Sequence, residues 1–330
     1  MKTKKLNLKA LTLIFAVFFS SCNIDESSMI DSYEEDDNST IRISEMSGDA
    51  SSIKHYFYDN FNLVKILTYS NSESTNPSNG KEYVYDGSGN LIKESTLDSY
   101  NSELFVLYYS EYEYLGNKKV KEKLFTCNVY PGGDFRLSRY VNYFYNGNLL
   151  VKAETYNGLD GSFVSSDHYE YDNRGNLVMD YTYDPSWIGK GVWGGVYETG
   201  ILGYRKYVYD NKDRLITVLT TDGILDFYPC LKYKYNNDGK LVKTEYHEYE
   251  GLNRYEENVY NKSKLLKIVL YYDKNGNQTN KLQHFYDELG NNIGTVRNDE
   301  CLVSERKYND RLLTEQIFYS CYGNGYFEDR

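Results

Sequence analysis

Along most of the chain, apolar or aromatic residues alternate with polar ones at a period of two. In Tyr83-Val84-Tyr85 and Tyr169-Glu170-Tyr171 the tyrosines fall on one face and the intervening residue on the other, which is the spacing of a strand and not of a helix. Each such stretch runs into turn-forming residues and then into an apolar residue that opens a second stretch. The clearest copies are Glu82-Tyr-Val-Tyr-Asp-Gly-Ser-Gly-Asn-Leu91, Tyr169-Glu-Tyr-Asp-Asn-Arg-Gly-Asn-Leu177, Tyr207-Val-Tyr-Asp-Asn-Lys-Asp-Arg-Leu215 and Tyr233-Lys-Tyr-Asn-Asn-Asp-Gly-Lys-Leu241. The Asp-x-x-Gly segment supplies the positive φ angle of a tight reversal, so each unit is predicted to be a β-hairpin.

Looser copies centre on Tyr58, Tyr114, Tyr145, Tyr260, Tyr286 and Tyr308, and successive copies are mostly 22 to 31 residues apart, room for two strands and two turns. One hairpin is marginal alone, whereas stacked neighbours extend a sheet. The expected fold class is therefore all-β: tandem antiparallel β-hairpin repeats in an extended sheet, twisted or curled into a spiral or trough. Such an array has end strands, and Ile317-Phe-Tyr-Ser-Cys-Tyr322 is the expected last one, with Gly323 to Arg330 as its polar cover.

Composition sharpens this picture: 38 of 330 residues are tyrosine and only 4 are proline. Cross-strand aromatic pairs contribute about 0.2–1 kcal/mol each, so a tyrosine-rich sheet needs no large separate core. The ring is expected to pack while the hydroxyl stays in water.

The Tyr-Asp-x-x-Gly-x-Leu pattern, clearest at Tyr85, Tyr171 and Tyr235, resembles YD repeats, also called RHS-type repeats, over roughly residues 50 to 320. The resemblance implies a winding β-sheet, which in large toxin complexes and some adhesion proteins wraps into a shell. The closer likeness is to short YD-repeat lipoproteins of Bacteroidetes with no assigned activity.

The first residues follow another pattern. Lys2, Lys4, Lys5 and Lys9 precede the apolar run Ala10 to Phe19, which ends in Ser20-Ser21-Cys22, the layout of a secretory signal peptide. The stretch up to Cys22 resembles the lipobox of bacterial lipoproteins, with Phe19 where leucine is commonest. That resemblance implies cleavage before Cys22 and lipidation of its thiol. The expected organisation is a signal peptide over 1–21, an acidic flexible tether over 22–45 and a β-repeat domain over 46–330. Loss of four lysines and no acid takes the net charge from −11 to about −15. Nucleic acid is therefore not an expected partner, and the membrane partner is reached through the lipid. Acidic residues after a lipidated cysteine resemble the surface-export signal of Bacteroidetes lipoproteins. This implies an outer-membrane location, surface-exposed, with a periplasm-facing protein as the alternative.

Candidate chemistry is sparse. Asp184 to Gly195 holds both tryptophans, Trp187 and Trp193, in a glycine-rich loop that could stack a ligand or plug an irregular hairpin. His55, His168, His247 and His284 sit in separate repeats without metal-ligand spacing, so no metal or cofactor is expected. Most Asp and Asn residues follow a repeat tyrosine, where they serve the turn, and no catalytic carboxylate pair stands out. Cys127, Cys230, Cys301 and Cys321 permit disulfides in an exported chain, and Cys301–Cys321 is the candidate pair. The expected function is non-enzymatic: a cell-envelope binding or scaffold lipoprotein with a glycan or protein ligand. The alternatives are a glycan-active enzyme using carboxylates on a concave face, and a structural or immunity partner of a toxin system.

Overall fold

The structure is a computed structural model that describes residues 50–319 apart from 60, 72, 129–132, 189–190, 193–194, 197–199, 222–225, 299–300 and 310. The expected signal peptide, the expected tether and Cys22 lie outside the described residues.

The first five hairpins are β1 (Ala50–Asp59) with β2 (Asn62–Tyr69), β3 (Asn79–Tyr85) with β4 (Leu91–Tyr100), β5 (Glu103–Leu115) with β6 (Lys118–Cys127), β7 (Phe135–Asn146) with β8 (Leu149–Asn157), and β9 (Phe163–Tyr171) with β10 (Leu177–Tyr183). A short pair, β11 (Gly191–Val192) and β12 (Gly195–Val196), follows in the next connection. The other five are β13 (Ile201–Tyr209) with β14 (Leu215–Thr221), β15 (Tyr228–Tyr235) with β16 (Leu241–Glu248), β17 (Gly251–Tyr260) with β18 (Leu266–Asp273), β19 (Gln278–Tyr286) with β20 (Asn292–Arg297), and β21 (Cys301–Asn309) with β22 (Leu312–Tyr319). All ten repeat tyrosines end, or nearly end, the first strand of a hairpin.

The hairpins join in order into one 20-stranded antiparallel sheet. The sheet closes: β1 pairs with β2 on one side and with β22 on the other, through Ile53 opposite Ile317 and His55 opposite Glu315. The result is an up-and-down β-barrel. This corrects the expected open spiral or trough, and with it the reading of the segment from Ile317 as an edge strand. Closure leaves none of the twenty strands of this sheet at an edge, and that is the physical gain over an open array.

The hairpin turns form as the pattern predicts. In the first clear copy, Asp86 Oδ1 accepts from the backbone N–H groups of Ser88 at 2.8 Å and Asn90 at 2.9 Å. Gly89 supplies the positive φ of +84°. The same arrangement recurs at Asp172, Asp210 and Asp287.

Beyond each turn the return strand carries a β-bulge, seen as a register shift just after the residue opposite the repeat tyrosine. Examples are Tyr85 opposite Leu91 and Tyr171 opposite Leu177. The ladder to the next repeat also stops short of this point; between β2 and β3 it ends at Lys65–Glu82. A carbonyl is thus left outside both ladders and needs a donor. The next repeat's tyrosine provides it. Tyr85 Oη donates to Leu63 O, Tyr114 to Leu91 O, Tyr145 to Lys119 O, Tyr171 to Leu150 O and Tyr209 to Leu177 O. Tyr235, Tyr260, Tyr286 and Tyr308 donate likewise to Leu215, Leu241, Leu266 and Asn292. The hydroxyls expected to stay in water are therefore hydrogen-bonded parts of the scaffold.

The core is thin and lies on both faces of the sheet. Val218 and Tyr207 are buried on the face that carries the repeat tyrosines, and Leu97 and Val296 on the opposite face.

Candidate functional site

The ten tyrosine turns stand at one end of the barrel. The opposite end carries the longer connections, including the tryptophan segment between β10 and β13. Next to that segment, four strands form a polar cleft of about 390 Å³ between Asp167 and Tyr169 of β9, Asp180 and Thr182 of β10, Arg205 of β13 and Thr220 of β14. That volume falls at the low end of the roughly 300–1,000 Å³ of small-molecule sites.

Local sequence explains the opening. Tyr181 pairs with Tyr204 and Tyr183 with Ile201, so Leu202 and Gly203 together face Thr182 in a bulge on β13. Gly203 takes φ +146° and brings no side chain to fill the gap.

At the centre, Arg205 donates from Nε and Nη2 to the two oxygens of Asp180, both at 2.9 Å, and Tyr207 Oη donates to Asp180 Oδ2 at 3.0 Å. The Asp180 carboxylate is nearly buried, with a side chain 10% exposed, whereas that of Arg205 is 48% exposed. The planar fork suits this geometry, and strand register makes it possible because Asp180 and Arg205 are direct cross-strand partners. The hydrogen bonds to Asp180 hold the Arg205 pKa above its usual value, against the effect of burial. Beside them, Thr182 Oγ1 donates to Asp167 Oδ1 at 2.6 Å. Burial pushes the Tyr169 hydroxyl up to about 12, with the Asp167 and Asp180 charges adding to it, so the phenol is neutral and can donate.

None of the sequence-predicted site residues that the structure describes lines this cleft. Trp187 ends a 3-10 turn, Pro185–Trp187, capped by Asp184 Oδ1 on Ser186 N at 2.8 Å. It is half-buried and does not line the cleft. The turn is tied down by Asp184 N donating to Gly200 O at 2.8 Å. Trp193 lies outside the described residues. Cys301 opens β21, and Cys321 lies outside the described residues, so their pairing does too. His168 stacks on Tyr181 at 4.6 Å, His247 reaches Glu245 at 3.2 Å, and His284 contacts Thr295 at 3.1 Å. Among the described residues, no three His, Cys, Asp or Glu side chains are grouped to hold a metal ion. Sequence reasoning missed Asp167, Asp180 and Arg205 because it assigned acidic residues to turns. The available signal was Asp180 in the middle of Leu177-Val-Met-Asp-Tyr-Thr-Tyr183, a charge where a strand otherwise reads apolar.

Both faces of the barrel carry ion pairs at mid-strand. Lys81–Glu94, Lys119–Glu122 and Asp180–Arg205 lie on the tyrosine face, and Lys93–Glu111, Lys152–Glu154 and Lys243–Glu257 on the other. Among the described residues, these charged pairs interrupt both faces of the sheet. Fold and cleft together define a closed, polar-faced up-and-down β-barrel with a small hydrophilic site near one rim.

No protein-family model matches the chain, and no curated protein matches it. Among solved structures, it is similar to a porin-like protein from Bacteroides uniformis, with 10% identity, 83% of this chain and 98% of that one covered, and a TM-score of 0.34. It is also similar to a protein of unknown function from Bacteroides fragilis, with 17% identity, coverage of 32% and 78%, and a TM-score of 0.27. A third is a chain of the Photorhabdus luminescens Tc holotoxin pore, with 9% identity, coverage of 78% and 22%, and a TM-score of 0.18. At such scores none of them carries an argument about family or activity.

Proposed function

We propose that this chain is a YD-repeat lipoprotein of the cell envelope that acts as a binding or scaffold protein and not as an enzyme. The observation that supports binding most directly is the polar cleft around Asp167, Asp180 and Arg205, pre-formed on a closed sheet. A closed barrel holds such a site with little ordering cost when ligand arrives. The mid-strand ion pairs on both faces fit a barrel held in water by an N-terminal lipid on Cys22. The β-barrel itself is not asked to sit in the bilayer.

The binding reading is tested by comparing wild-type protein with an Arg205→Ala variant against envelope polysaccharides and envelope proteins. Weaker retention of a ligand by the variant is the expected result, and equal retention of every ligand removes the cleft from consideration. Mass spectrometry of the N-terminal peptide should find acyl chains on Cys22, and an unmodified thiol there would overturn the anchor.

A glycan-active enzyme is the second reading, because Asp167 and Asp180 line one cleft. Against it, both oxygens of Asp180 are already engaged by Arg205 and Tyr207. Release of reducing ends from a polysaccharide would favour the enzyme, since a binder produces none.

A further inference from the structure

Resting on that binding reading, we propose that the cleft takes a neutral saccharide, with adjacent hydroxyls of one sugar ring seated between Asp167 and Arg205. The hydrogen-bonding inventory of the walls leads there. Asp167 Oδ1 takes the Thr182 hydroxyl, and Oδ2 has no hydrogen-bond partner among the described residues. Arg205 spends Nε and Nη2 on Asp180, while the Nη1 group has no hydrogen-bond partner among the described residues. The site therefore presents one charged acceptor and one charged donor, with the Tyr169 phenol beside them and the Thr220 hydroxyl, which donates to Tyr204 O at 3.4 Å, as a further acceptor. A pair of adjacent sugar hydroxyls complements this set, since each hydroxyl both donates and accepts.

Other ligand chemistries fit less well. The two carboxylates and one guanidinium sum to a single negative charge, so a uronate, sulfate or phosphate group meets Asp167 uncancelled. An apolar ligand would strip water from both charged groups and return no hydrogen bond. Size agrees as well, since about 390 Å³ accommodates one or two sugar rings and not an extended face of a protein.

The test is calorimetric titration of the full mature protein with neutral oligosaccharides (gluco-, manno- and galacto-) and with uronate-bearing ones, for wild type, Asp167→Asn and Thr220→Val. Wild type should bind a neutral saccharide. Asp167→Asn should lose about tenfold or more, as expected when a hydrogen bond to a charged group goes. The same variant should gain affinity for uronates, an effect that general loosening of the fold would not produce. Thr220→Val should cost several-fold, and it keeps the test alive if Asp167→Asn does not fold. Tighter binding of uronates than of neutral sugars by wild type would overturn the ligand class and leave a binding protein standing. Binding of neither, alongside co-purification of an envelope protein that Arg205→Ala abolishes, would overturn the saccharide inference alone.

Discussion

The Tyr58 hydroxyl donates to the backbone carbonyl of Leu313 at 3.0 Å, although 255 residues separate the two. It is the same contact that each repeat makes with the one before it, here made by the first repeat with the last. The barrel therefore closes through an interaction that every hairpin already contains, and the seam is chemically the same as the other nine junctions.

Replacing a repeat tyrosine by phenylalanine keeps the ring and strands the bulge carbonyl. For a part-buried neutral hydrogen bond this should cost about 1 kcal/mol. Tyr171→Phe and Tyr58→Phe are expected to lower the urea midpoint by similar amounts if the seam is an ordinary junction. A negligible effect at Tyr58 alone would mean that the seam is open in solution.

Closure can also be trapped covalently. Ile53 and Ile317 are direct cross-strand partners, a spacing of about 4.5–5.5 Å that falls within disulfide reach. The double substitution Ile53→Cys with Ile317→Cys should oxidise within one molecule, and peptide mapping by mass spectrometry should recover the linked pair. Bridges found only between molecules would indicate an open or strand-exchanged sheet.

Two features were legible in the sequence for a clear physical reason: alternation of period two and turn chemistry are local. Tyr85-Asp86 and Gly89 announce a hairpin without reference to anything distant. Closure was not legible, because it depends on twist accumulated over twenty strands and on one long-range pairing whose residues, such as Ile53 and Ile317, look like any other strand residues. The roles of the tyrosine hydroxyls were hidden for the same reason, since the acceptor exists only once a bulge forms in the preceding hairpin. The cleft joins Asp167, Asp180 and Arg205 across three strands, so its only local trace was a charged residue in an otherwise apolar strand.

Turn chemistry also predicts a stabilising substitution. Lys264 sits at φ +62°, where Gly89 and Gly175 stand in the clear repeats. A left-handed non-glycine residue costs about 1–2 kcal/mol, and glycine brings a backbone-entropy cost of roughly 0.5–1 kcal/mol. Lys264→Gly should therefore raise stability by about 0.5 kcal/mol. The exposed ion pair with Asp238 at 3.1 Å that it removes is worth little. A fall in thermal midpoint would contradict this balance.

Alkali should unfold the barrel through its tyrosines. Burial pushes the hydroxyls of Tyr169 and Tyr233 up to about 12 and raises that of Tyr209. A phenol whose pKa is higher folded than unfolded stabilises the fold fully below the unfolded value of about 10, and that contribution is lost as pH rises through the folded value. Stability should therefore decline between about pH 10 and 12. Tyrosinate absorbance and far-ultraviolet circular dichroism recorded together should show the late-titrating tyrosines ionising with the loss of strand signal. Complete ionisation with the sheet intact would show these hydroxyls to be solvent-accessible.

The Asp180–Arg205 pair offers the sharpest energetic test of the cleft. Removing Arg205 leaves a nearly buried carboxylate with the Tyr207 hydroxyl as its one remaining hydrogen-bond partner among the described residues, which should cost about 2 kcal/mol, less than a fully buried pair because the guanidinium is half in water. Removing Asp180 instead leaves a half-exposed cation that water can solvate, so that single change should cost less. The double variant Asp180→Ala with Arg205→Ala should be more stable than the sum of the single effects predicts, with a coupling of about 1–2 kcal/mol in a double-mutant cycle by chemical denaturation. Additive effects would mean that the fork does not hold the two side chains together in solution, and the donor left over on Arg205 would then have no fixed direction in which to meet a ligand.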